Sequence, residues 1–169
     1  TNMYFLIGAV FVRDVVPAKN MVELRAYAQA NPGKIDFATF GPNVSLDLFR
    51  QWLNDQWKTN IVGIPYKGSG PLMNALSNGE VHATWVAFFS VQGLIKAGKL
   101  KVLAVDTPKR SPLYPDVPTL DEAGMPNCPT LTWHGLVMPA ATPDGVVRRL
   151  NAEIVKLFAE PAYEELFNS

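Results

Sequence analysis

The sequence predicts an α/β fold, a parallel or mixed sheet flanked by helices, and three observations carry that expectation. Short apolar runs rich in β-branched and aromatic residues recur along the chain. Segments with helical apolar spacing separate them, and Gly or Pro marks the junctions. With 169 residues, 48% of them hydrophobic and 18% charged, there is material for one ordinary domain, or one domain and part of another, but not for two large ones.

Taken in order, FLIGAVFV (5–12) reads as a buried strand. Pro17 then suits a first helical turn, and AKNMVELRAYAQANPGK runs as a helix to a Pro-Gly stop at Pro32 and Gly33. Four more apolar runs follow: IDFATF (35–40), IVGIPY (61–66), VHATWVAF (81–88) and LKVLAVD (100–106). Between the first two, Val44, Leu48, Phe49, Trp52, Leu53 and Trp57 share one broad helical face, which is expected to be core. A second helix opens at Gly70-Pro71 and ends before Gly79. A third, near 89–97, ends at Gly98, and both glycines suit left-handed C-terminal positions.

From 107 to 130 the composition shifts, and six prolines mark a connector. Only a short helix is expected in it near Thr119, where Glu122 completes the spacing of a capping box. The run LTWHGLVM (131–138) reads as a strand. Thr142-Pro143 then opens a last helix with the stripe Val146, Val147, Leu150, Ile154, Leu157 and Phe158, and Pro161 breaks it before a terminal turn or short helix.

Fifteen basic residues balance fifteen acidic ones, which removes the broad attraction that nucleic acid or an anionic membrane needs. Any anion must be held locally. Cys128 is the single cysteine, so no intramolecular disulfide forms, and no Cys or His stands near it at metal-ligand spacing. No apolar run approaches the roughly 20 residues that span a bilayer. The chain shows neither an initial Met nor a recognisable leader, so a secretory signal is expected to be absent or already removed.

The stretch TFGPNVSLDLFRQW (39–52) focuses the search for function. A strand that turns through glycine into a helix leaves the first helical N–H groups unpaired at the positive end of the dipole. Three such loops follow strand ends: Gly41 to Ser45, Tyr66 to Gly70 and Ala87 to Ser90. Ligands of open α/β sheets bind at this edge. Ser45 fits an N-cap and also a hydroxyl donor to a carboxylate, while Asp47 suits a capping aid better than a ligand.

Tyr66 and Lys67 precede GSG, which lacks the spacing of a nucleotide phosphate loop. Lys67 fits a solvated loop cation or an anion contact, and the Tyr66 hydroxyl fits a cleft hydrogen bonder. His82 and His134 have no carboxylate at useful spacing, and no Gly-x-Ser-x-Gly elbow occurs. Trp85, Phe88, Phe89 and Trp133 fit core or wall positions. No cofactor or metal is expected; the reading is of a binder, with an α/β enzyme as the least favoured alternative.

Five segments together resemble the periplasmic receptors of tripartite tricarboxylate transporters, the Bug or TctC-like family. They are PAKNMVELRAYAQANPGK (17–34), VGIPYKGSGPLMNALSNGEV (62–81), IKAGKLKVLAV (95–105), KRSPLYPDVPTLDEAG (109–124) and WHGLVMPAATPDGVVRRLNAEI (133–154). The resemblance implies a type II periplasmic-binding-protein lobe with a partial second lobe, from a Venus flytrap that closes on a small carboxylate and delivers it to membrane permease subunits. It implies a periplasmic location, while the charge balance leads to the expectation of no nucleic-acid partner.

Family members are longer at the N-terminus, which implies that most of lobe one is missing. Residues 1–12 are then a crossing strand from that lobe, 13–106 lobe two, 107–130 the connector, and 131–169 a crossing strand with C-terminal helices of lobe one. A homodimer covering the missing lobe is one implied outcome, and a fragment that self-associates without binding ligand is the alternative function. The implied half-site is Gly41, Asn43, Ser45, Tyr66, Lys67 and Gly68, with Val86 on its wall. Asp47 stands where the family usually has His. Val86 stands where an acid is common, which disfavours ligands bearing an ammonium group and leaves a dicarboxylate, tricarboxylate or aromatic acid.

Overall fold

A computed structural model describes residues 2–5, 8–112, 114–128 and 133–160, with only the backbone described at 2–5, 133 and 134. In chain order the elements are β1 (Asn2–Phe5), β2 (Gly8–Arg13), α1 (Met21–Ala30), β3 (Asp36–Thr39), α2 (Ser45–Trp57), β4 (Val62–Pro65), α3 (Ser69–Asn78), β5 (Ala83–Ala87), a 3-10 turn (Phe88–Val91), α4 (Gln92–Lys96), β6 (Leu100–Val105), β7 (Trp133–Gly135) and α5 (Asp144–Phe158). They fall into two compact units, Ile7–Leu131 and Thr1–Leu6 with Thr132–Ser169.

The larger unit holds a five-stranded sheet in the order β4-β3-β5-β2-β6. β3 runs parallel to β4 and β5, and β2 lies antiparallel to both β5 and β6. The sheet is therefore mixed, with four strands pointing one way and β2 inserted against them. Its core gathers Phe11, Phe37, Phe49, Leu53, Leu72, Leu76 and Leu103, all fully buried. Phe49 of α2 lies against Phe37 at 6.0 Å and against Trp85 at 5.4 Å between ring centroids, which fixes that helix on β3 and β5.

Local signals account for most of the boundaries. The Asn20 side chain caps α1 by accepting from the Glu23 N–H at 2.8 Å, and Glu23 reaches back to the Lys19 N–H at 2.8 Å. The helix thus begins at Met21, leaving Pro17 outside the first turn that it was expected to occupy. Asn54 takes the Ile61 N–H at 2.6 Å and donates to the Ile61 carbonyl at 3.0 Å, fastening the entry of β4. Gly79 and Gly98 end α3 and α4 at φ +88 and φ +70, as their C-terminal spacing predicts.

Several expectations need correction. The run 5–12 is not one strand: Phe5 ends β1, Gly8 begins β2, and β2 is an inner strand of the larger unit's sheet. That unit also contains the connector. Leu120 and Met125 are buried in its core, and Thr119 forms a bridge to Val105. Thr119 and Glu122 do exchange capping-box hydrogen bonds, at 2.9 and 3.2 Å, but around turns and not a helix.

Val44 and Leu48, expected in the core face of α2, are 37% and 45% exposed, because the sheet covers only the side that carries Leu46, Phe49, Leu53 and Trp57. His82 is not alone. Its Nδ1 accepts from the Asp36 N–H at 3.1 Å and lies 3.3 Å from the Asp36 carboxylate, a neighbour created by the pairing of β3 with β5.

In the smaller unit β1 and β7 pair antiparallel, with Tyr4 opposite His134 and Phe5 opposite Trp133. β7 is shorter than the expected strand, of which 131 and 132 lie outside the described residues and 136–138 are not extended into the ladder. α5 is amphipathic as its stripe predicts, yet none of its residues is buried. Residues 161–169, with the expected break at Pro161, and the side chains of Trp133 and His134 lie outside the described residues.

Candidate functional site

Because β3, β4, β5 and β6 point the same way, their C-terminal ends share one edge of the sheet with the start of β2. The chain leaves β3 toward β4 on one side and leaves β5 toward β6 on the other. The two connections diverge between β3 and β5, the kind of point at which ligands of open α/β sheets bind. The loops 40–44 and 88–91 flank it, and the loop 66–68 lies one strand away.

The β3–α2 loop needs unusual backbone. Gly41 has φ +121 and Asn43 φ +62, both in the left-handed region. A Cβ at Gly41 would meet nothing within 4 Å, so conformation and not space demands glycine there. The Gly41 N–H donates to Thr39 Oγ1 at 3.3 Å. Asn43 N–H donates to the Asp47 carboxylate at 3.2 Å, which folds the loop back on the first turn of α2.

The N-cap of α2 is Val44, whose side chain caps nothing. This corrects the expected N-cap role of Ser45. Ser45 is the first helical residue, exposed, and its hydroxyl makes no hydrogen bond among the described residues. Among the described residues no N-cap side chain takes the first-turn N–H groups of α2, which are the kind of donors that favour an anion.

Asp47 is 5% exposed and turned inward. Arg50 donates to it through Nε at 2.9 Å and Nη2 at 2.7 Å, and Gln51 Nε2 donates at 2.7 Å. Burial raises its pKa, but the hydrogen bonds from Arg50, Gln51 and Asn43 outweigh burial and hold the carboxyl below its ordinary value of 3.8. A neutralised, buried carboxylate does not compete with a ligand at the helix start.

The second loop repeats the pattern. Gly68 at φ +103 is the N-cap of α3, again with no side-chain cap, and Lys67 beside it is exposed. Tyr66 is different. Its N–H is used by the Thr39 carbonyl at 2.8 Å, and its ring packs on the core. Burial raises the phenol pKa, and so do the charges of Glu80 and Asp36, carboxylates at the opposite edge of the sheet. The structure therefore brings Gly41, Asn43, Ser45, Lys67 and Gly68 to one edge, while Tyr66 serves that edge chiefly through its backbone. Val86 is 8% exposed within β5, opposite Ala9, and stands behind the edge, not on it.

One arrangement at this edge escapes sequence reasoning. Asp106, directly after β6, accepts the Gly8 N–H at 2.7 Å on Oδ1 and the Trp85 Nε1–H at 3.0 Å on Oδ2. Its own N–H donates to the Gly8 carbonyl at 3.0 Å. Burial pushes the carboxyl up from 3.8 to about 6, against the pull of these hydrogen bonds. The three residues are 77 and 21 positions apart in the chain. No local motif signals them; only the insertion of β2 between β5 and β6 makes them neighbours.

Comparison with known proteins follows the same lines. The profile described as tripartite tricarboxylate transporter family receptor, TctC, matches residues 3–169. A UPF0065 protein of Bordetella pertussis (strain Tohama I) is 33% identical over 157 residues, which cover 93% of this chain and 49% of that protein. The UPF0065 protein of the tcbD-tcbE intergenic region of Pseudomonas sp. (strain P51) is 38% identical over 152 residues, 87% of this chain and 45% of that protein.

Among solved structures, R. palustris Rpa4515 with adipate matches at TM-score 0.86 and 26% identity, over 96% of this chain and 54% of that one. The periplasmic binding protein BugD matches at 0.83 and 31%, over 97% and 56%. MatC from Rhodopseudomonas palustris with bound malate matches at 0.82 and 26%, over 95% and 54%. The chain spans about half the length of the curated relatives it matches.

Proposed function

The chain belongs to the tripartite tricarboxylate transporter receptor family, and from that premise we propose that it forms part of a periplasmic receptor that binds a small carboxylate and delivers it to a membrane permease. The observation that carries this reading is the bare start of α2. Its N-cap has no side-chain partner, the one acid in its first turn is buried against Arg50, and it sits at the edge where the strand connections diverge. The uncapped start of α3 and the exposed Lys67 add positive potential one strand away.

In this reading Gly41 and Gly68 let backbone N–H groups approach the ligand, Ser45 donates its hydroxyl and Lys67 supplies charge. Asn43 holds the loop through Asp47, Tyr66 braces the second loop and Val86 backs the site. The solved relatives that carry adipate and malate favour a plain dicarboxylate. The residues assigned to lobe one in relatives would supply the facing wall.

The test is a calorimetric and thermal-shift titration with adipate, malate, benzoate and an amino-acid control. A bound acid at 100 times its dissociation constant stabilises by roughly 2.7 kcal/mol. Lys67→Ala should weaken that binding several-fold, less at high salt, and leave the unliganded chain unchanged. Failure of every acid to shift a demonstrably folded chain would refute the proposal.

A second reading is favoured by α5, where Val146, Val147 and Leu150 are 47%, 41% and 43% exposed. On this reading the 169 residues alone pair through that stripe as a homodimer, with no useful ligand affinity. A concentration-independent monomer in sedimentation would exclude it.

A further inference from the structure

The carboxylate-binding reading makes no use of Asp106, which joins three strands of the larger unit. Asp106 is a part-buried carboxylate with two directed donors, a backbone N–H and an indole N–H, one on each oxygen. Among the described residues no cation pairs with it. On β2 and β6 the basic residues Arg13 and Lys101 lie at the far end of the sheet, with Lys101 bound to the Asp14 and Val16 carbonyls. β5 carries no titratable side chain. In the connector Lys109 is exposed, Arg110 is engaged by Glu122 at 2.8 Å, and the Tyr114 ring stacks on Phe88 at 4.1 Å.

The geometry around this carboxylate is closed to alternatives. A Cβ on Gly8 would run into Asp106 Oδ2 and would stand 2.6 Å from Trp85 Nε1. Only glycine at that position lets β2 begin between the indole and the acid. Trp85 is 3% exposed and its ring lies 5.4 Å from that of Phe49, so the indole is also part of the surface on which α2 rests.

We propose that Asp106 is a proton-responsive positioning residue: ionised, it pins the Trp85 indole beside the Gly8 amide, and on taking up a proton it releases the Trp85 tether while retaining Gly8. The proton goes to Oδ2, the oxygen with the longer hydrogen bond. A carboxyl hydroxyl is a weaker acceptor than a carboxylate oxygen, and a charge-assisted bond is about twice as strong as its neutral counterpart. Oδ1 remains a carbonyl acceptor for the Gly8 N–H. Burial opposes the charged form, which moves this exchange out of the ordinary carboxylate range and toward neutral pH.

The experiment is a two-dimensional amide NMR titration of the 169-residue chain between pH 4.5 and 8. The Trp85 indole resonance is assigned with Trp85→Phe. The expected result is a shared midpoint for the Trp85 indole N–H and the Gly8 amide, with the larger shift at the indole. The Trp52 and Trp57 indoles stay flat. Asp106→Asn should abolish both titrations, and Trp85→Phe, by removing a donor to the charged form, should move the Gly8 midpoint upward. Should Asp106→Asn not fold, the wild-type titration and Trp85→Phe decide the matter. A flat Trp85 indole, midpoints that differ between Trp85 and Gly8, or a Gly8 midpoint unmoved by Trp85→Phe would each overturn the proposal.

Discussion

Replacing Asp47 by alanine strips four hydrogen bonds from the start of α2: those from Asn43 N, Arg50 Nε, Arg50 Nη2 and Gln51 Nε2. The side chains of the ion pair are only 7% and 16% exposed, so Arg50 is left partly buried with a single acceptor, the Ile61 carbonyl at 2.9 Å. Breaking one side of a buried pair costs about 3–5 kcal/mol, because the remaining charge is uncompensated. At a urea slope of about 2 kcal/mol per molar, the unfolding midpoint falls by about 2 M. The joint replacement Asp47→Leu with Arg50→Met removes both charges together and should cost much less than the sum of the single changes.

The acid side of the same prediction has a definite sign. The folded pKa of Asp47 lies below the ordinary 3.8. Its stabilisation is therefore complete above that value and is lost as pH falls through the folded pKa. The assay is urea unfolding followed by far-UV circular dichroism at neutral pH and again at successively lower pH. A loss under about 1 kcal/mol for Asp47→Ala, or strict additivity in the double replacement, would refute the account of a buried, coupled pair.

Asp106 contributes with the opposite sign. Its folded pKa is raised from 3.8 to about 6, so its contribution is full below the ordinary value and fades as pH rises through the folded one. The shift corresponds to about 3 kcal/mol, and Asp106→Asn should flatten that part of the stability profile between pH 4 and 7. Phe49, fully buried between Phe37 and Trp85, should cost about 3–5 kcal/mol as Phe49→Ala in the same unfolding assay. A cost below 1 kcal/mol would mean that α2 does not rest on the sheet through that ring.

The α/β alternation was legible because each strand run and each helix stop is a local event: IDFATF, IVGIPY and LKVLAVD lie over β3, β4 and β6, and Gly79 and Gly98 end the helices that they follow. Periodicity was less reliable at the edges. Val44 and Leu48 fit the apolar stripe of α2 yet face outward, since a stripe states which side is apolar and not how far the sheet beneath extends. Of the candidate site, the loop 41–45 and the start of α3 could be read from their glycines, because positive φ is a property of a few adjacent residues.

By itself, then, the sequence determined most of the element types and the glycine turns that lead into and out of the helices, all set by interactions within a few positions. Tertiary structure alone decided that β2 enters antiparallel between β5 and β6, that Asp36 meets His82, and that Gly8, Trp85 and Asp106 share a carboxylate. Strand pairing joins residues without regard to their separation along the chain, and burial then shifts the chemistry of the groups so joined. Neither effect leaves a mark in the order of the letters.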